Sequence, residues 1–321
     1  MRTAALLVSV AAAAAYAQDG KKLCRAIVQV QTTDRAAERA QQMARQQDVA
    51  GNLRIHQPYT MVVNGVCISE REILTPALHP RADLHVLVKY QDGRVVEAKV
   101  KGTDPLSNCA LLEVAADSPA FVTIHAAPVA VGDDIGIAGC PVQCREGKPA
   151  FLAGRVREDR VSIVIEDLYG VTAAHRIVLG SAFAVDTIEG QPNVGAACVD
   201  KEGRLVGMVV GGLPPRLRAH PDQPGRLSLQ VRRFAVPASR IARIVEDLRK
   251  NGRVIRADFG IAIEPADEAL IAQFELPGSA AAVTEIHGRP VAGGFLNNDV
   301  IAGVDGQSWR DAYELDEALC D

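Results

Sequence analysis

A succession of short apolar runs, each closed by a turn, constrains this chain more than any other feature of its sequence. Residues 24–30, Cys-Arg-Ala-Ile-Val-Gln-Val, alternate with the period of two expected of a half-buried strand, and Thr32-Thr33-Asp34 closes the run. Residues 59–75 read as two short strands around a turn, and residues 151–156, 161–165 and 177–186 supply further strands. One helix is well specified: Ser239 serves as N-cap, Ile241, Ile244, Val245 and Leu248 form an i, i+3, i+4, i+7 stripe, and Asn251-Gly252 ends it. Residues 34–50 are rich in Ala, Gln and Arg without an apolar stripe, as in a polar helix or a loop, and residues 211–225 read as a Pro- and Gly-rich loop. The pattern predicts a mostly β protein.

With 321 residues the chain has material for about two domains, each with its own core. A net charge of -4 offers no basic footprint for nucleic acid. Arg2, the apolar run from Ala4 to Ala15 and the small-x-small triplet Ala15-Tyr16-Ala17 form a secretory signal, expected to be removed before Gln18. No other run approaches the roughly 18 apolar residues of a membrane span, so export into the periplasm or the extracellular space is expected. The seven cysteines are odd in number and irregularly spaced, and Cys67, Cys109 and Cys198 sit inside apolar runs, as core residues would. Cys140 and Cys144 are the one local pair. They lack the second Cys or His pair of a zinc site, so no metal and no cofactor is expected; an oxidising compartment leaves a disulfide between them open.

Residues 192–207, Pro-Asn-Val-Gly-Ala-Ala-Cys-Val-Asp-Lys-Glu-Gly-Arg-Leu-Val-Gly, resemble the nucleophile segment G-N-S-G-G-P-L-V-D-x-x-G-x-V-V-G of the HtrA (Deg) family of trypsin-like serine proteases. Residues 59–75 resemble the G-S-G-V-V-I-S … I-L-T block, residues 102–114 the block G-x-D-P-x-S-D-L-A-L-L-K-V, residues 131–141 the strand V-G-D-x-V-x-A-I-G-N-P, and residues 234–237 the strand G-F-A-I-P. Their shared order implies a trypsin-like double six-stranded β-barrel over residues 18–252. Asp258-Phe259-Gly260-Ile261-Ala262-Ile263 then resembles the carboxylate-binding loop and strand of a PDZ domain, and residues 296–306 resemble L-x-x-G-D-V-I-x-x-V-D-G. The resemblance implies a PDZ-like α+β domain over residues 253–321, with a helix over 311–319 beside the peptide groove. Asn298 replaces a glycine there, which asparagine tolerates because it adopts positive φ. Family members have closing strands beyond the point matching Asp321, so the resemblance implies a truncated domain.

On this register the triad positions have lost their chemistry. The serine position is Val194, the histidine position Leu78 and the aspartate position Asn108. A hydrocarbon cannot attack a carbonyl, and there is no proton for a base to remove. In trypsin-like enzymes the aspartate-to-asparagine change alone lowers turnover about 10⁴-fold through the wrong tautomer. The glycine that supplies one oxyanion N–H corresponds to Pro192, which has no N–H; such a donor is worth about 3 to 4 kcal/mol. His79, one residue past Leu78, is the one rescuer of base function.

The resemblance therefore implies an inactive homologue of a serine endopeptidase, with no intact catalytic residue. Its partners would be peptides or unfolded proteins, taken up along Phe259, Gly260, Ile261, Ala262 and Ile263 by strand addition. A homotrimer, or assembly with an active HtrA relative, is the implied quaternary state. The alternative is an active serine endopeptidase with a non-standard triad drawn from Ser181 or Ser69 with His79 or His175. Ser181 and His175 both lie between the aspartate-like and serine-like blocks, against the His, Asp, Ser order of this fold.

Overall fold

The computed structural model describes residues 23–34, 60–78, 84–140, 149–166, 176–187, 194–212, 216–219, 227–257, 259–278, 280–287, 294–304, 306 and 309–320. The signal segment, His79, Cys144, His175 and Pro192 lie outside these residues.

After a helical turn at residues 23–26, six strands close on themselves. They are β1 (Ile27–Asp34), β2 (Thr60–Cys67), β3 (Glu72–Thr75), β4 (Leu84–Lys89), β5 (Val95–Asp104) and β6 (Cys109–Val114), in the order β1-β2-β3-β6-β5-β4. The first strand starts at Ile27, three residues later than the alternation suggests, because residues 23–26 are helical. Hydrocarbon fills the barrel and packs on its outside, as strand alternation requires: Ile27, Val66, Ile73, Leu74, Leu111 and Leu112 are all fully buried.

The second sheet holds β7 (Asp134–Gly139), β8 (Ala150–Glu166), β9 (Arg176–Thr187), β10 (Ala197–Val199), β11 (Leu205–Gly212), β12 (Arg216–Ala219) and β13 (Leu227–Pro237). Its order is β11-β10-β7-β8-β9-β13-β12, and a further pairing of β11 with β13 closes a second six-stranded barrel that leaves β12 outside the ring. Ile137, Val156, Phe183, Val185, Val209 and Ala235 fill this barrel. Two expectations are corrected here. The runs 151–156 and 161–165 belong to one strand, β8, whose register against β9 shifts three times, so bulges absorb the polar residues between the runs. The segment expected to be all loop contains β12, because Arg216–Ala219 pairs with Leu227–Gln230.

Helix α1 (Ala238–Asn251) follows β13 directly. Its N-cap position is Pro237 with no side-chain cap, not Ser239, because the strand runs into the helix without the turn a serine cap would serve. Its stripe, Ile241, Ile244, Val245 and Leu248, is buried within a cluster that joins residues of both barrels. Arg249 Nε donates to Glu72 Oε1 at 3.0 Å and ties the helix to β3.

The C-terminal unit is α+β. Strands β14 (Ile261–Pro265), β15 (Ala281–Ile286) and β16 (Val300–Ile301) form an antiparallel sheet in that order. Helix α2 (Glu268–Gln273) connects the first two strands, and α3 (Ala312–Cys320) packs on the sheet through Ala312 and Leu315. Asn298 has φ 72°, the positive value its sequence context calls for.

Candidate functional site

Two places are candidates for function. The first lies where the barrels meet. Asn64, on β2 and 2% exposed, joins them: its backbone N–H and its Nδ2 donate to Val194 O at 3.4 and 3.2 Å, and its Oδ1 accepts the Cys140 N–H at 2.6 Å. Its own carbonyl accepts from Thr75 Oγ1 at 2.9 Å. A polar side chain in the middle of an apolar strand is affordable only when it is fully bonded. Sequence reasoning passed over Asn64; an amide in the apolar run Met61-Val62-Val63-Asn64-Gly65-Val66 was its signal.

The turn after Val194 is pressed against the same place. Gly195 has φ 82°, and its N–H donates to Val209 O at 2.8 Å. A Cβ on Gly195 would sit 2.3 Å from Asn64 O and 2.7 Å from Pro76 Cδ. Pro76 is two residues before Leu78, which is 2% exposed and packed into the first barrel. Asn108 reaches the same segment, its Oδ1 accepting the Ala77 N–H at 3.1 Å. It is fully buried at φ 50°, and its Nδ2 has no partner among the described residues. The folded chain thus draws the segments bearing Leu78, Asn108 and Val194 into one neighbourhood from three distant parts of the sequence.

Of these three side chains, Leu78 and half-buried Val194 are hydrocarbon and Asn108 is an amide. Two of the nearby thiols, those of Cys198 and Cys109, are deeply buried. Burial pushes Cys198 up to about 12 and raises Cys109 further, so both stay protonated. The other serines considered are engaged elsewhere. Ser69 Oγ accepts the Glu72 N–H at 3.1 Å and lies 3.3 Å from Glu72 Oε2 in a local turn, and the Ser181 hydroxyl donates to Glu317. Among the described residues no group of His, Cys, Asp or Glu could hold a metal ion.

The second place is a cavity of about 260 Å³ in the C-terminal unit. Ile261 and Ile263 of β14 and the preceding Phe259 form one wall, and Asp316 and Leu319 of α3 the other. Arg256 and Ala257, between α1 and β14, and Leu106 of the first barrel complete it. Gly260 and Ala262 are not among its walls; their carbonyls accept from the His287 N–H and from Thr284 Oγ1. Leu106 and Arg256 were not anticipated, because they belong to the pocket only through the docking of the C-terminal unit. Arg256 carries that docking. Its two terminal nitrogens each lie 2.7 Å from an oxygen of the buried Asp104, and Nη2 lies 3.3 Å from Ser107 Oγ.

Helix α3 also grips the second barrel. Glu317 accepts the Gly180 and Ser181 N–H groups at 2.6 and 3.2 Å and forms an ion pair with Arg240, whose Nε donates to Ser107 Oγ at 2.9 Å. Glu314 pairs with Arg160. Gly180 lies so close to the helix that a Cβ there would meet Glu314 Cα at 2.5 Å.

Residues 63–208 match the trypsin-like peptidase domain family. By structure, the chain is similar to the HtrA-type protease AlgW with a tripeptide (TM-score 0.62, 18% identity, 95% of this chain and 88% of that one) and to AlgW with a decapeptide (TM-score 0.61, 19% identity, 95% and 90%). The fold is that of an HtrA-type trypsin-like protease. Curated relatives include a probable periplasmic serine endoprotease DegP-like of Brucella suis, 26% identical over 71% of this chain, and the serine endoprotease DegS of Haemophilus influenzae, 22% identical over 72%. The chain spans 41% of the length of the first of these and 60% of the second. Two HtrA-type barrels thus frame the neighbourhood of Leu78, Asn108 and Val194, and no helix among the described residues is long and apolar enough to cross a membrane.

Proposed function

We propose that this chain is an exported HtrA-type protein that binds peptides or unfolded chains without cleaving them, alone, as a homo-oligomer or together with an active relative. The observation that carries the reading is Val194, a hydrocarbon that the sequence resemblance aligns with the nucleophile, on a turn pinned by Asn64 and Gly195. Leu78 and Asn108 at the base and carboxylate positions support it, as does Pro192 at the oxyanion position. Export is supported by the signal-like residues 1–17 and by relatives named periplasmic. Residues 18–252 are the protease-like unit and 253–321 the PDZ-like unit of this reading. Phe259, Ile261 and Ile263 border the cavity beside α3, where strand addition to the edge of β14 would place a peptide, and AlgW is a neighbour in fold whose structures carry peptides.

A second reading, an active serine endopeptidase with a non-standard triad, rests on the protease names of the relatives. It needs Ser181 or Ser69, whose hydroxyls already serve Glu317 and the turn at Glu72. A fluorophosphonate probe on the purified chain from Gln18 onward decides between them: no labelling and intact casein are expected. Stoichiometric labelling abolished by Ser181→Ala or Ser69→Ala would establish the second reading. Leu78→His, Asn108→Asp, Val194→Ser and Pro192→Gly introduced together are expected to restore partial casein cleavage.

A further inference from the structure

The cavity beside α3 is apolar on most of its surface, formed by Leu106, Ala257, Phe259, Ile261, Ile263 and Leu319. Two charged side chains also line it, and their situations differ. Arg256 is committed to Asp104 and Ser107, so its charge is answered within the fold. Asp316 forms no ion pair among the described residues, and burial alone pushes its carboxyl above the usual range. The other acidic side chains of α3 make the contrast clear. Glu314 is paired with Arg160 and Glu317 with Arg240, both turned to the second barrel, while Asp316 is turned to the cavity.

A carboxylate at an apolar wall loses hydration, and no described residue returns it through an ion pair. A cationic group brought by a ligand would return it and would be discriminated from a neutral or acidic one by the same charge.

We infer that Asp316 is a specificity-determining residue of this cavity and that the favoured ligand is a peptide carrying a lysine or arginine next to the apolar side chain that fills it. The inference rests on the peptide-binding reading above and deepens it. The apolar walls take the hydrocarbon side chain, the open edge of β14 takes the backbone, and Asp316 chooses the neighbouring residue by charge. Leu106 makes the site composite, since a ligand there touches the first barrel as well as the C-terminal unit.

The test uses the chain from Gln18 onward and fluorescent decapeptides with an apolar last residue, in which Lys, Gln or Glu is scanned through the three preceding positions. At one position Lys is expected to tighten binding about tenfold over Gln and Glu to weaken it, the scale of one partly desolvated charge pair. Asp316→Asn is expected to abolish the Lys preference while leaving the Gln peptide bound, and Asp316→Lys to reverse the preference toward Glu. Binding of the Gln peptide with no Lys preference, or a preference unchanged in Asp316→Asn, overturns this inference and leaves the peptide-binding reading standing. Failure of every peptide to bind overturns both.

Discussion

The crevice between the barrels and the cavity beside α3 are both places where separate sheets meet, and they are finished in opposite ways. In the crevice every contact closes space: Asn64 bonds to Val194 O and Cys140 N–H, Leu78 joins the core, and Gly195 leaves no room for a methyl group. The cavity keeps about 260 Å³ open and lets a carboxylate face it. The first sets the hydrocarbon side chains of Leu78 and Val194 beside the buried amides of Asn64 and Asn108; the second presents a carboxylate partly withdrawn from water. A half-buried carboxylate without an ion-pair partner among the described residues marks the cavity, and not the crevice, as the candidate ligand site.

The largest effect that could break this comparison is expected at Gly195. Gly195→Ala adds a methyl group into backbone and proline at a left-handed φ and is expected to cost on the order of 4 kcal/mol in urea unfolding. A loss below about 1 kcal/mol would show that the crevice yields and is not closed by packing.

Next in size is Arg256→Ala, which strands Asp104, a side chain 1% exposed, without its cation. A destabilisation of about 3 kcal/mol is expected. The double variant Asp104→Asn, Arg256→Met is expected to recover most of it, and failure to recover would assign the effect to the cavity wall and not to the ion pair.

The smallest effect sets the cavity against an ion pair of the first barrel, by sign. Arg249 beside Glu72 holds its carboxyl below the usual glutamate range, so the stability it contributes is present above the unfolded value of 4.5 and is lost as pH falls through the lower folded value. Asp316 is raised by burial, so the stability linked to its protonation is present below its unfolded value of 3.8 and is lost as pH rises through the higher folded value. Thermal unfolding across about pH 3 to 6 is expected to show Glu72→Gln losing less stability on acidification than the parent, and Asp316→Asn losing more. Shifts of the same sign in both variants would contradict the assigned environments.

Much of the fold was legible because strand alternation and helix stripes are local patterns. The stripe Ile241, Ile244, Val245 and Leu248 is buried as its spacing requires, and Asn298 adopts the positive φ its place in a turn demands. The errors fell where neighbours override local signals. Ser239 lost the N-cap to Pro237 because β13 leads straight into the helix, and Arg216–Ala219 became a strand because Leu227–Gln230 offered an edge. Of the positions read from the chain, Leu78, Asn108 and Val194 occupy segments that the fold brings together, while His79 and Pro192 lie outside the described residues.

By itself the sequence determined which side chains stand at each position, and so that residues 194, 78 and 108 are valine, leucine and asparagine. Only the tertiary structure decided that Asn64 bridges the barrels, that Arg256 reaches Asp104 across 152 residues and that Leu106 borders a cavity built by the C-terminal unit. Local patterns are written in neighbouring residues, whereas bonds and cavities between units depend on how faces dock, and docking is settled by the summed burial and pairing of groups far apart in the chain.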